Sequence, residues 1–260
     1  MVIAMLSVIL IWCYMLFTMG TIGGAFMTRV SKKAGYRVKH IDTCLLCGLV
    51  CVTVYAQFFS LFYKVGLAAN VVMLISSIGL FYRYRLEAAD YLTELRDNII
   101  RNKEGKRGRI LTVIFLFLLF AYGTSRGIIH YDTGLYHAQS IRWIEEYGVV
   151  KGLGNLHCRL AYNSASFALS ALYSMAFLGG QSYHCAAGFL AFVLAKVCME
   201  IIDSSRKKTG LSGIFCIRHY LFANHCIIGQ GNGNPVVLTV HHHFNKRFSR
   251  LVRKFPSGIK

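Results

Sequence analysis

The sequence predicts an all-α protein: a polytopic transmembrane helical bundle with about six spans, one cytoplasmic amphipathic helix and one external interfacial helix. Two observations lead to this prediction. Apolar residues make up 55% of the 260 residues at a mean hydropathy of +0.47, whereas charged residues make up only 15%, against about 25% in soluble globular proteins. The charged residues are clustered, and the apolar runs between the clusters are long enough to cross a bilayer.

The apolar runs define a transmembrane domain over residues 1–203. The first run, VIAMLSVILIWCYMLFTMG, has no basic segment before it and no small-residue cleavage site, so we predict an anchor rather than a signal peptide. Only Tyr63 and Lys64 separate the second and third runs, which predicts a tight helical hairpin. The six predicted spans cover about residues 2–20, 41–62, 65–82, 110–126, 166–180 and 183–202.

Basic residues predict the orientation of these spans. They concentrate in TRVSKKAGYRVKH, after the first span, and in residues 83–109, after the third. Because cytoplasmic loops carry an excess of Lys and Arg, we predict that both segments are inside and that the N-terminus is outside the cell inner membrane. Residues 83–109 also repeat apolar side chains at helical spacing, which predicts the cytoplasmic amphipathic helix. The loop at residues 127–165 is then external.

The net charge of +18 does not indicate nucleic-acid binding. Most basic residues before position 204 flank the apolar runs, where they are typical of membrane topology rather than of a nucleic-acid surface. The partners predicted from charge are therefore the lipid bilayer and anionic lipid at the basic loops, with no nucleic acid.

Three of the nine cysteines invite a metal interpretation. Cys44, Cys47 and Cys51 are spaced i, i+3 and i+7 within an apolar run and share one helix face. A structural zinc site needs four ligands, usually from two clusters, and the sequence offers no second cluster. We therefore predict a helix–helix contact and no metal site.

The external loop HYDTGLYHAQSIRWIEEYGVVKGLGNLHCRLAYNS holds the candidate site. Asp132 directly follows a span and is expected at the membrane surface. The pattern from Thr133 to Tyr147 predicts an interfacial helix, since Trp143 and Tyr147 are typical of the membrane–water boundary. Asp132 and Tyr136 fall on one side of this helix, together with Gln139.

The side chains of this loop suit chemistry on a lipid-linked phosphate. A carboxylate such as Asp132 can accept a proton from a hydroxyl or hold a divalent cation, the one cofactor that the loop suggests. Arg142, Lys151 and Arg159 can neutralise a phosphate, and His137 and His157 can hydrogen-bond a diphosphate or a sugar. The alternative is an ordinary external loop whose amphipathic helix rests on the bilayer.

The segment YDTGLYHAQSIRWIEEYG resembles the first external loop of the C-type glycosyltransferase superfamily, which are multi-pass enzymes that use polyprenyl-phosphate-linked sugars. More narrowly, GLYHAQSIRWIEEYGVVKGLGNLH, RLAYNS and the N-terminal spans resemble an uncharacterised family of bacterial multi-pass proteins linked to surface-polysaccharide synthesis. The resemblance implies that Asp132 is the catalytic acidic residue. Positions that match the narrower family, and that we assign to substrate binding, are His137, Arg142, His157, Arg159 and Asn163.

The last part of the chain, residues 204–260, differs from the rest. It contains no Asp or Glu but ten of the 29 basic residues. We predict either that the reading frame changes near Ser204 or that this is a genuine basic tail bound to anionic lipid. Six spans would leave the tail outside, against the positive-inside rule, and a re-entrant fifth span would remove this conflict.

These observations predict an integral membrane glycosyltransferase-like protein of bacterial surface-polysaccharide assembly. The first alternative is a non-catalytic transporter or assembly subunit. Transporters place their polar residues in broken helices at the middle of the bilayer, whereas the polar residues here gather at the surface. The second alternative is an inactive N-terminal fragment of a larger membrane enzyme.

Overall fold

The computed structural model describes residues 2–35, 41–101, 106–125, 132–179 and 185–206, and these residues form helices without any strand. The prediction of an all-α fold is therefore confirmed. A short π-helical turn, Thr133–His137, precedes α5, and two 3-10 turns flank α7. The helices are α1 Val2–Ala34, α2 Ile41–Ser60, α3 Leu67–Arg101, α4 Lys106–Ser125, α5 Ala138–Tyr147, α6 Leu153–Leu156, α7 Ala165–Tyr173 and α8 Cys185–Arg206.

Among the described residues, three helical segments are long and apolar enough to cross a membrane: Ile3–Lys33, Thr43–Ser60 and Leu67–Arg85. Their outward side chains are largely exposed leucine, isoleucine, valine and phenylalanine, as expected for surfaces that face lipid. Shorter apolar helices cover Ile110–Ser125, Ala165–Leu178 and Cys185–Val197. These long apolar helices fit a multi-pass membrane protein.

Two helices are longer than the sequence predicted. α1 continues to Ala34, well past the predicted end of the first span at residue 20. α3 joins the third span and much of the predicted cytoplasmic helix into one helix of 35 residues. At 1.5 Å per residue each of these helices is about 50 Å long, so it exceeds the roughly 30 Å hydrocarbon core of a bilayer. The predicted amphipathic pattern depends on the side chains of residues 86–101, which lie outside the described part of the structure.

α1 is the central helix of the bundle. Its Trp12 is fully buried and donates a hydrogen bond from Nε1 to the backbone oxygen of Cys185, the first residue of α8, at 3.0 Å. The same indole packs edge-on against Phe117 of α4, with ring centroids 5.3 Å apart. Trp12 therefore joins α1 to the fourth and eighth helices.

Glycine sets the distance between α1 and α2. A β-carbon added at Gly23 would overlap the backbone oxygen of Cys44, and one added at Gly48 would overlap the backbone oxygen of Met19. Small residues at such crossings let membrane helices approach backbone to backbone. Cys44 lies at this crossing, as predicted for a helix contact, and Cys44, Cys47 and Cys51 are free thiols.

A buried amide ties three helices together. Asn70, in the first turn of α3, donates from Nδ2 to the backbone oxygen of Leu172 in α7, at 3.0 Å. Its Oδ1 accepts from the hydroxyl of Tyr14 in α1, at 3.2 Å. Polar side chains at membrane depth are costly unless paired, and this one is paired on both sides.

α7 differs from the fifth span that was predicted at residues 166–180. It has nine residues, about 14 Å, and therefore cannot cross a bilayer core of roughly 30 Å as a helix. The helix ends at Tyr173, and Met175 adopts a left-handed backbone conformation with φ 51°. A break of this kind is tolerated at membrane depth where the backbone is enclosed by protein, and residues 171–175 are buried.

Both ends of α7 lie at the end of the bundle that carries the α2–α3 turn. At its start, the Phe167 ring lies 5.2 Å from the His137 ring of the loop before α5. Near its end, the oxygen of Leu172 meets Asn70 in the first turn of α3. The first residue of α8, Cys185, accepts the hydrogen bond from Trp12 of α1, and Gly188 lies against Thr124 in the last turn of α4.

Candidate functional site

The loop helix α5 is fixed to the α2–α3 turn by backbone hydrogen bonds. The amide of Val65 donates to the oxygen of Ile144 at 3.0 Å, and the amide of Val149 donates to the oxygen of Ser60 at 2.8 Å. Gly148 lies between them at φ +78°, where a β-carbon would be 2.7 Å from the oxygen of Ser60. The candidate loop and the hairpin turn are therefore at the same end of the bundle, which agrees with the sides that the sequence predicts for them.

The predicted interfacial helix has one buried and one exposed face. Ser140, Ile141 and Ile144 are buried against the protein, whereas Arg142 and Glu146 are exposed. The buried face contacts α7 and the hairpin turn, so packing within the protein positions this helix.

Asp132 and Arg159 form the centre of the candidate site. The guanidinium Nη1 of Arg159 lies 3.3 Å from the carboxylate Oδ1 of Asp132, and the two side chains are 38% and 30% exposed. Both predicted residues are thus brought together although 27 positions separate them. Because both side chains are partly exposed, an anionic ligand can reach the pair.

The Tyr136 ring contacts the guanidinium of this pair. The guanidinium carbon of Arg159 lies 5.5 Å from the centre of the Tyr136 ring, a cation–π contact that holds the cation near Asp132. Burial, together with the nearby Asp132 carboxylate, raises the pKa of Tyr136 above its usual value of 10.0. The phenol is therefore neutral at physiological pH and can donate a hydrogen bond.

The other predicted substrate contacts lie around this pair at different distances. The His137 ring packs against the Tyr136 ring at 4.3 Å. Nδ1 of His157 accepts a hydrogen bond from the backbone amide of Arg159 at 3.2 Å, which orients the arginine's segment. Asn163 is exposed and lines a neighbouring cleft.

Arg142 is not directed at Asp132. Its Nε lies 3.1 Å from Oε1 of Glu146, one helical turn away on the exposed face of α5. The i, i+4 spacing of the two residues is the signal for this contact. Of the two arginines that the sequence assigned to substrate, the structure brings Arg159 to the carboxylate.

The described residues around Asp132 do not include a group of side chains typical of a metal centre. Within the described ranges, no group of three or more His, Cys, Asp or Glu side chains could hold a metal ion. Asp132 itself is paired with a cationic guanidinium rather than with further carboxylates.

A cleft of about 200 Å³ lies between α5 and the glycine-rich loop that follows it, and part of its lining, Leu160 and Ala161, directly follows Arg159 in the chain. Sequence reasoning did not identify this cleft, because its walls come from segments on both sides of a turn. Its lining includes Ser140, Trp143, Gly152, Gly154, Asn163 and Phe167.

Glu145 is a polar residue that the sequence analysis did not identify. Its carboxylate Oε1 is buried without a hydrogen-bond partner in the described structure, while the Ser174 hydroxyl contacts the side chain. Burial, together with the nearby Glu146 carboxylate, raises the pKa of Glu145 above its usual 4.5, against the opposing effects of Ser174 and Arg142. A raised pKa means that the folded protein holds this proton more tightly than the unfolded chain does.

Stability should therefore fall as pH rises through the interval between the unfolded and the folded pKa of Glu145. We expect Glu145→Gln to remove part of this fall, so that the variant melts at a higher temperature than wild type at pH 7.5 but not below pH 4.5. Melting curves in mild detergent across this range measure the effect. Glu146→Gln removes an exposed neighbouring charge that also raises this pKa, so it should remove a smaller part of the fall. An unchanged pH dependence in Glu145→Gln would contradict the assignment.

Comparison with known proteins places the chain in a family. No curated protein and no solved structure matches it. One family pattern matches residues 5–235, which is most of the chain and extends past Ser204 into the basic tail. The family's description assigns no activity. From residue 207 the tail lies outside the described structure. The chain belongs to the family described as Domain of unknown function (DUF8201).

Proposed function

We propose that this protein transfers a glycosyl group from or onto a polyprenyl-phosphate-linked sugar during bacterial surface-polysaccharide assembly. The observation that carries the proposal is the partly exposed Asp132–Arg159 pair, held beside a cleft on a loop that is docked to a hairpin turn. A base and a phosphate-binding cation at a bilayer surface are the two groups that such a reaction requires.

In this proposal Arg159 binds phosphate and Asp132 is the general base. A donor phosphate would bind the guanidinium of Arg159 in place of Asp132, which frees the carboxylate. Asp132 then takes the proton from an acceptor hydroxyl as that oxygen bonds to the anomeric carbon of the sugar. The bond between the anomeric carbon and the phosphate oxygen breaks at the same time, and polyprenyl phosphate leaves with its charge neutralised by Arg159.

The remaining predicted contacts take secondary parts in this proposal. His137, His157 and Asn163 are polar groups within the same loop and are available to sugar or phosphate oxygens. Arg142 would contact phosphate only by exchanging its partner Glu146, which lies on the exposed face.

The direct test is transfer by the purified protein in lipid vesicles. Vesicles are supplied with radiolabelled polyprenyl-phosphate hexoses and a surface-glycan acceptor, and label in the acceptor is measured. Transfer above that of protein-free vesicles supports the proposal. If correctly inserted protein transfers no label from any donor, the function of a non-catalytic assembly subunit is favoured instead.

We further propose that the chain crosses the cell inner membrane five times, with the N-terminus outside. The support is that α7 is short, that its two ends contact the same end of the bundle, and that α8 starts from that end. α7 is then a re-entrant helix, and Arg206 returns to the side that carries Arg29 and Lys32. Basic segments are thereby gathered on one side, as the positive-inside rule requires.

The orientation can be read from fusions to the full chain. We expect green fluorescent protein fused after Lys260 to fluoresce, because it folds in the cytoplasm, and alkaline phosphatase at the same position to be inactive. A chain with six spans would give the opposite pair of results. The matched control is each reporter inserted after Gly154, in the external loop, where phosphatase should be active.

Contacts at the other end of the bundle support anionic lipid as a partner. Nε of Arg29 in α1 donates to the hydroxyl of Tyr84 in α3 at 2.8 Å, and the Arg83 guanidinium lies 5.6 Å from the Tyr84 ring. Arginines arranged around an aromatic ring at a membrane boundary suit lipid phosphate groups.

A further inference from the structure

We propose that the cleft beside the Asp132–Arg159 pair binds one uncharged sugar ring, the glycosyl group of the donor. This inference rests on the proposed function and assigns the second half of its substrate. The charged phosphate of the donor would bind Arg159, and its uncharged sugar ring would bind in the cleft.

The walls of the cleft are neutral. None of the residues that line it carries a charge, although Arg142 and Glu146 are close by in sequence. A volume of about 200 Å³ is below the roughly 300–1,000 Å³ of pockets that hold drug-sized ligands. The cleft therefore suits a single neutral ring rather than an oligosaccharide or a phosphate.

The polar and aromatic groups of the cleft match the two kinds of surface on a sugar. Trp143 is half-buried and packs against Tyr147 with ring centroids 5.1 Å apart, which gives a fixed aromatic surface for the C–H face of a pyranose. Asn163 is exposed and supplies a donor and an acceptor for ring hydroxyls. These two residues come from different segments of the chain, since Trp143 lies in α5 and Asn163 precedes α7.

Ser140 provides an independent observation. Ser140 is one of the residues that line the cleft and is only 7% exposed, and its buried Oγ has no hydrogen-bond partner within the described parts of the chain. Most buried hydroxyls in proteins are paired, so an unpaired one in a cleft wall indicates a place for a ligand hydroxyl. A ring hydroxyl that reached Ser140 would satisfy this group.

Residues that line the cleft are neighbours of residues of the charged pair. Phe167 lines the cleft, and its ring lies 6.4 Å from that of Tyr136, which supports Arg159. Leu160 and Ala161, also in the lining, directly follow Arg159 in the chain. A phosphate at the guanidinium and a ring in the cleft can thus belong to one molecule.

The experiment is saturation-transfer NMR of the full-length protein in lipid nanodiscs with methyl glycosides of glucose, galactose, mannose and N-acetylglucosamine. We expect at least one glycoside to give a saturable signal with a Kd in the millimolar range, and glycerol to give none. Asn163→Ala and Ser140→Val should each weaken binding threefold to tenfold. Asn155→Ala, an exposed asparagine of the same loop outside the cleft lining, should leave it unchanged.

The inference is overturned if no glycoside gives a saturable signal, or if binding is unchanged in both Asn163→Ala and Ser140→Val. Because Asn163 is exposed, its replacement by alanine should not disturb the packing of the protein. Failure of the proposed function looks different: glycosides would bind as expected while no donor is turned over. If transfer occurs but both cleft variants leave the KM for the donor unchanged, only the present inference fails.

Discussion

Asp132→Asn is expected to lower glycosyl transfer at least a hundredfold while the protein still inserts into the membrane. Asparagine has the shape of aspartate and keeps an oxygen that can accept the hydrogen bond from Arg159. It has no negative charge and cannot take the proton from the acceptor hydroxyl. General-base catalysis typically contributes about 10²–10⁴-fold, which sets the expected loss. The measurements are transfer in vesicles and surface glycan on cells that carry the variant.

The control for this variant is Glu146→Gln, which removes a carboxylate from the exposed face of the same loop. Its transfer rate should stay within about twofold of wild type, since Glu146 does not contact the Asp132–Arg159 pair in the described structure. The amount of each variant in the membrane fraction has to match wild type. Full activity in Asp132→Asn would refute the catalytic role of this carboxylate.

Gly23→Ala is expected to destabilise the protein strongly, whereas Gly24→Ala is not. The new β-carbon at position 23 would overlap the backbone oxygen of Cys44, so α1 and α2 would have to move apart. Overpacking of this kind typically costs about 1–3 kcal/mol. A β-carbon at position 24 meets nothing within 4 Å, and alanine favours the helix over glycine.

The two variants are neighbours in one helix and have the same change in composition, so each controls for the other. Melting temperature and the monodisperse fraction in mild detergent measure the difference. Equal stability of Gly23→Ala and Gly24→Ala would show that the close crossing of α1 and α2 does not hold in the membrane.

Much of the helical architecture follows from the sequence because apolar runs and helix length are local properties. α2 and α4 begin and end close to the second and fourth predicted spans. α1 continues past the predicted end of the first span, through Arg29 and Lys32, because hydropathy indicates where an apolar run ends and not where a helix ends. The short length of α7 could not be predicted from its apolar residues. Most of them are buried in the protein, and an apolar run that packs in a protein core has the same composition as one that faces lipid.

The candidate site was predictable only in part. The position of Asp132 after a span identified the catalytic candidate, and Tyr136 was expected on the same side. The pairing with Arg159 depends on the fold of the intervening loop, which no local pattern encodes. The Arg142–Glu146 contact could have been predicted from its i, i+4 spacing. Ser140 and Glu145 gave no signal beyond being polar residues in a helix.

The docking of α5 on the hairpin turn has a consequence for how this loop can change. The two hydrogen bonds that fix it, Val65 to Ile144 and Val149 to Ser60, join backbone atoms only. Almost any side chain can therefore be exchanged on the outer face of the loop without moving its frame. Such a loop can drift in sequence and acquire a new ligand preference while the spacing between the cleft and the charged pair is inherited unchanged.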